Sequence, residues 1–141
     1  MQMDNNLPKP PKAVGNYTTI KRVNDIIYTS GHVPITDDKK FIGKIPKEQS
    51  TEEGYEAASL CAELTLATLS ESYDLKKLTP LNVVGFVNCT DDYTEHPKVL
   101  NGFTDKLEEY FNSKATRSAV GVSSLPMNVS VEVQTIFYID E

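Results

Sequence analysis

A chain of 141 residues with two cysteines has room for one hydrophobic core and no disulfide framework. Its net charge of −6, with an isoelectric point near 4.9, argues against a grip on phosphate backbones, whose affinity comes from clustered Lys and Arg. No apolar run approaches the ~18 residues of a membrane span, and the N-terminus lacks the basic-then-apolar order of a secretory signal. The expectation is a soluble, cytoplasmic protein that engages neither membrane nor nucleic acid, and whose cysteines, Cys61 and Cys89, lack metal-type spacing.

Residues 1–13 carry Pro8, Pro10 and Pro11, cannot form a helix, and read as a flexible N-terminal arm ahead of a single domain over residues 14–141. Thr18–Val23 and Ile26–Ser30 are rich in β-branched and aromatic residues and flank Asn24-Asp25, a two-residue hairpin signal. A loop over Thr36–Gln49 follows. Ser50 then offers an N-cap and Glu53 the returning half of a capping box, so a helix is expected from there to near Tyr73. Its apolar stripe is Ala57, Leu60, Cys61, Leu64 and Ala67, which reads as core. Leu81–Cys89 is apolar on both faces, as a central strand is. Pro97 suits a first helical turn, and Leu100, Phe103, Leu107 and Tyr110 or Phe111 mark a second amphipathic helix. The order β-β-α-β-α-β-β predicts an α+β two-layer sandwich with both helices on one face of the sheet. The other face keeps too many apolar side chains to stand alone and is expected to meet a partner.

The last stretch carries the chemistry. Within Ala115–Val133, alternation separates Ser118, Val120 and Val122 from Arg117, Ala119 and Gly121, and Val129, Val131 and Val133 from Ser130, Glu132 and Gln134. If Ser123–Asn128 is a hairpin connection and Val122 pairs with Val129, then Val120 faces Val131 and Ala119 faces Glu132. Arg117 and Glu132 become diagonal neighbours over a floor of small side chains, able to bind a small carboxylate and move a proton. An isolated Arg/Glu pair is more often a solvated ion pair, so periodicity alone leaves this the minority reading.

The same run resembles the signature of the Rid family, also called YjgF or L-PSP proteins, in Arg117-Ser118, Leu125-Pro126 and Val131-Glu132-Val133. Gly15-Asn16-Tyr17 resembles the family's Gly-Pro-Tyr, and Ser30-Gly31-His32-Val33-Pro34 its Ser-Gly-Gln-Ile-Pro, so the resemblance covers about residues 14–139. It implies a chorismate-mutase-like fold, a homotrimer with inter-subunit clefts, and hydrolysis of 2-imino or 2-enamino acids to 2-oxo acids and ammonia without metal or organic cofactor. By the same resemblance Arg117 holds the substrate carboxylate, Glu132 assists the attacking water, and Tyr17, Ser30, Gly31, Ala119 and Asn101 line the cleft. His32 stands where the family more often has Gln, as a cleft acid/base group or a buried hydrogen-bonding residue. His96 receives no role. Ala119 replaces a common cysteine, Gly121 a common glutamate and Asn16 a proline, which leaves substrate choice open. Two further readings stand: a non-catalytic trimer that binds a metabolite carboxylate, and an L-PSP-type ribonuclease or translation inhibitor, to which the acidic charge gives little support.

Overall fold

A computed structural model describes residues 6–141; the first five residues of the expected arm lie outside the described residues. From Asn6 to Lys12 the chain runs beside residues 35–40, and Leu7 packs against the core. Strands β1 (Ile20–Val23) and β2 (Ile26–Thr29) form the expected antiparallel hairpin, with Val23 opposite Ile26 and Asn24 at φ 54°, the left-handed conformation such a turn requires.

Helix α1 (Thr51–Ser70) opens on the predicted capping box: Glu53 N–H donates to Ser50 Oγ at 3.0 Å and Ser50 N–H donates to Glu53 Oε1 at 2.9 Å. It ends three residues short of the expected Tyr73, because the amides of Ser72 and Tyr73 both turn back onto Leu69 O. Strand β3 (Leu78–Asn88), helix α2 (His96–Phe111), β4 (Thr116–Val122) and β5 (Val131–Ile139) complete the predicted order. Asn112, at φ 51°, closes α2 in a left-handed C-cap.

The five strands lie in the order β1-β2-β5-β3-β4 and both helices cover one face. Ile27, Val83, Val87, Val131, Val133 and Phe137 are fully buried beneath them, together with Cys61, Leu66 and Leu69 of α1 and Leu100 and Phe103 of α2. Each such side chain contributes roughly 1.5–3 kcal/mol relative to exposure.

The expected final hairpin does not form. Strand β4 pairs with β3 in parallel, Val83 to Arg117 and Gly85 to Ala119, while β5 lies antiparallel on the far side of β3, with Phe86 opposite Glu132. The difference lies in β3, an eleven-residue strand whose backbone N–H and C=O groups on both edges are answered only by a neighbour on each side. Helix α2 is the crossover that lays β4 parallel to β3. A tight turn at Pro126–Asn128, with Met127 and Asn128 both left-handed at φ 58° and 57°, then carries the chain past β3. The consequence is that of a one-residue slip: Val120 shares a face with Phe86 and Glu132, and Arg117 shares the opposite face with Val83 and Thr135.

Candidate functional site

Arg117 stands on edge strand β4, on the helix side of the sheet, where α2 meets it. Pro97 opens that helix and Val99, Leu100, Phe103 and Leu107 bury its inner stripe, which turns Asn101 and Thr104, one turn apart, toward the strand. Arg117 Nη1 donates to Asn101 Oδ1 at 2.9 Å and Thr104 Oγ1 at 3.0 Å, and Nη2 donates to Pro97 O at 3.4 Å. All three acceptors are neutral, and no carboxylate pairs with Arg117 among the described residues. The guanidinium is thus held in place with its charge uncompensated, and Nε–H and one Nη2–H are without an acceptor among the described residues. Two parallel N–H groups are what a carboxylate takes bidentately. A cavity of about 240 Å³ lies there, lined by Arg117, Asn101, Thr104, Asp105, Lys114 and Ala115.

Glu132 is on the other face of the sheet, beside Phe86 and half-buried. Burial pushes its carboxyl above the usual carboxylate range, and among the described residues it has no hydrogen-bond or ion-pair partner. Gly31 packs directly against it: a Cβ at that position would lie 2.9 Å from Glu132 Cδ and Cγ, so only glycine leaves the carboxylate its place. Ser30 is tied down by Oγ donating to Thr18 O at 2.6 Å. An unpaired carboxyl with a raised pKa on an open surface is suited to taking and returning a proton.

Of the residues singled out in the sequence, the structure joins Arg117 with Asn101 and Glu132 with Gly31. It does not join the two groups within one chain, and the expected diagonal pair of Arg117 and Glu132 is corrected to a pair separated by the sheet. Ala119 sits half-buried on the Arg117 side, opposite Gly85. Tyr17 is exposed, its hydroxyl accepting from Val14 N–H at 3.2 Å. His32 is a buried hydrogen-bonding residue, bonded through Nδ1 to Ser30 O and through Nε2 to Thr68 Oγ1, both at 2.9 Å, and burial lowers its pKa. Sequence reasoning missed Thr104, although its i+3 spacing from Asn101 was a usable signal, and the Pro97 carbonyl, for which residue type gives none. Among the described residues no three His, Cys, Asp or Glu side chains cluster as a metal site, and no helix is long and apolar enough to cross a membrane.

A family model described as Endoribonuclease L-PSP matches residues 8–139. The chain belongs to this family, the Rid/YjgF/L-PSP proteins. Within it, the chain is 30% identical over 138 residues to protein TCP17 of Trypanosoma cruzi, covering 92% of this chain and 85% of that one. It is 27% identical over 128 residues to TdcF of Escherichia coli, provisionally named a reactive intermediate deaminase, covering 91% and 90%. Among solved structures, one from Shewanella oneidensis provisionally described as an endoribonuclease superposes with a TM-score of 0.89 at 26% identity, covering 94% of this chain and 91% of that one. The protein Atu1372 from Agrobacterium tumefaciens gives 0.85 at 29% identity, covering 90% and 85%. These solved structures thus share this fold along nearly the whole chain.

Proposed function

We propose that this L-PSP family member hydrolyses reactive 2-imino or 2-enamino acids to 2-oxo acids and ammonia in the cytoplasm, with Arg117 holding the carboxylate and Glu132 assisting water. The observation that carries this reading is Arg117 itself, a guanidinium fixed by three neutral acceptors with two N–H groups left for an anion. The deaminase name given to TdcF supports the substrate class. Water adds to the C=N carbon of the clamped imino acid while one of its protons passes through Glu132 to the imine nitrogen, giving an amino alcohol. The hydroxyl proton then passes through Glu132 to the same nitrogen, ammonia leaves, and the oxygen becomes the new carbonyl. Such a proton shuttle is worth about 10²–10⁴-fold, and a charged hydrogen bond to the carboxylate roughly 1.5–3 kcal/mol.

Because Arg117 and Glu132 lie on opposite faces of the sheet, one substrate meets both only when the Glu132 face of one copy closes on the Arg117 edge of another. This reading therefore requires clefts shared between copies of the chain, and the assembly we propose for them is the homotrimer that the family resemblance implies. Tyr28, Val120 and Tyr138, each 37–46% exposed on the uncovered face, supply apolar surface for that contact. Tyr17, Ser30 and Gly31 then line the Glu132 side of the cleft and Asn101 and Ala119 the Arg117 side.

The test is release of 2-oxo acid and ammonia while a pyridoxal-phosphate dehydratase generates imines in the same vessel. Arg117→Ala and Glu132→Gln should each be inactive alone, and mixed, refolded subunits of the two should regain activity because some clefts then hold one intact Arg117 and one intact Glu132. Failure of wild type to accelerate hydrolysis, with retained 2-oxo acid binding through Arg117, overturns the enzyme reading in favour of a non-catalytic metabolite-binding trimer. That second reading draws on the same separation of Arg117 from Glu132, since binding needs the arginine alone.

A further inference from the structure

A second group of reactive side chains gathers at the other end of β4. Cys89 follows the last residue of β3, and its Sγ lies 3.5 Å from Nε2 of His96, the first residue of α2. Tyr93 packs edge-on against the imidazole at 5.5 Å between ring centroids, and its hydroxyl bonds Thr51 Oγ1 at 2.7 Å, which anchors the ring to α1. The pair sits directly over Gly121. A Cβ at that position would stand 2.8 Å from Sγ and 2.7 Å from Nε2, so the glycine is what admits a thiol and an imidazole together. A cavity of about 320 Å³ opens over them, lined by Cys89, Asp91, Tyr93, His96, Gly121 and Ser123.

We propose that Cys89 is a thiol modification site that exchanges with small-molecule disulfides, with His96 as the base. In that exchange the Cys89 S–H proton passes to Nε2, Sγ bonds one sulfur of the disulfide, and the other sulfur leaves as a thiolate that the protonated imidazole can reprotonate. No net oxidation is needed beyond the disulfide itself. Burial raises the Cys89 thiol pKa, against the opposing influence of the Lys44 ammonium, so the thiol keeps its proton at neutral pH and the exchange depends on a base at contact distance. Cys61 is the internal contrast: it is 0% exposed against 6% for Cys89, and it has no imidazole at contact distance among the described residues. It lines none of the cavities described above, and burial pushes its pKa well above the ordinary thiol value. Among the described residues neither Cys89 nor His96 hydrogen-bonds or ion-pairs with Arg117 or Glu132, and His96 meets the imine site only through the backbone it shares with Pro97.

The native full-length chain, treated with 2-hydroxyethyl disulfide and followed by intact mass and peptide mapping, should take up one adduct at Cys89 well before any at Cys61. His96→Gln should slow the Cys89 adduct by about tenfold or more, and Cys89→Ser should remove it. Labelling of the two cysteines at equal rates would mean that both react only through unfolding, and this comparison within the wild-type chain overturns the proposal whether or not either variant folds. A folded His96→Gln chain that labels at the wild-type rate overturns the role of the imidazole.

Discussion

On the helix side of the sheet, Val83, Val87, Val131, Val133 and Phe137 are fully buried, and the polar groups among them are paired: Thr29 with Thr135 at 2.9 Å, His32 with Ser30 and Thr68. On the other side Tyr28, Val120 and Tyr138 stand exposed, and Glu132 has no partner among the described residues. Apart from Arg117 at its β4 edge, the helix side is complete within the described residues, because its buried polar groups are answered by other groups of the same sequence. The other is a surface whose side chains are answered only by something outside it. The difference separates what should break the fold from what should break only assembly and chemistry.

The largest effect is expected where the helices meet. Gly102 of α2 backs onto the main chain of α1, and a Cβ there would lie 2.8 Å from the carbonyl carbon of Tyr55. Backbone cannot move aside as a flexible side chain can, so Gly102→Val should cost about 3 kcal/mol or more, read from the midpoint of urea unfolding. Wild-type stability for that variant would show that the two helices slide freely and that the helix side is not fixed by their close approach.

Arg117→Ala comes next, with an opposite signature. Its three hydrogen bonds go to neutral acceptors at a half-exposed edge, so about 1 kcal/mol of stability is at stake, whereas 2-imino acid hydrolysis should fall about a hundredfold or more. A variant that loses stability but keeps turnover would reassign the arginine to the fold. On the uncovered face, Tyr138→Asp should leave the unfolding midpoint of the isolated chain within about 0.5 kcal/mol while shifting light scattering from trimer to monomer. If wild type itself scatters as a monomer at micromolar concentration, the shared cleft fails.

The same contrast explains what the sequence disclosed. Alternation and capping act between near neighbours, so the first hairpin, the Ser50/Glu53 box, the apolar strand at residues 81–89 and both helix stripes were legible. Strand partnership was not. Residues 116–122 and 131–139 look like a hairpin because they are adjacent in sequence, and only the demand of β3 for neighbours on both edges separates them. That long-range demand moved Arg117 and Glu132 to opposite faces, although the residues themselves had been identified. Thr104 and the Cys89–His96 pair went unnoticed for a related reason: their partners come from other elements, and spacing along the chain is silent about those.

The smallest effect is the sharpest test of the two faces, because burial moves a group on each in opposite directions. His32, buried on the helix side, has its pKa lowered from 6.5, so the unfolded chain takes up its proton first as pH falls; the stability tied to it is present above pH 6.5 and is lost as pH drops through the folded value. Glu132, on the uncovered side, has its pKa raised from 4.5, so the folded chain holds its proton longer; the stability tied to it is present below pH 4.5 and is lost as pH rises through the folded value. At neutral pH the half-buried, unpaired Glu132 charge is therefore a cost to the fold. Glu132→Gln, which keeps the shape and removes the charge, should raise the melting temperature at pH 7 by on the order of 2 °C and leave it unchanged near pH 4, where the native carboxyl is protonated as well. His32→Gln should do the reverse, flattening the loss of stability on the acid side of pH 6.5. A Glu132→Gln gain equal at both pH values would trace the effect to packing rather than to the charge, and a drop at pH 7 would mean that the carboxylate has a partner on that face after all.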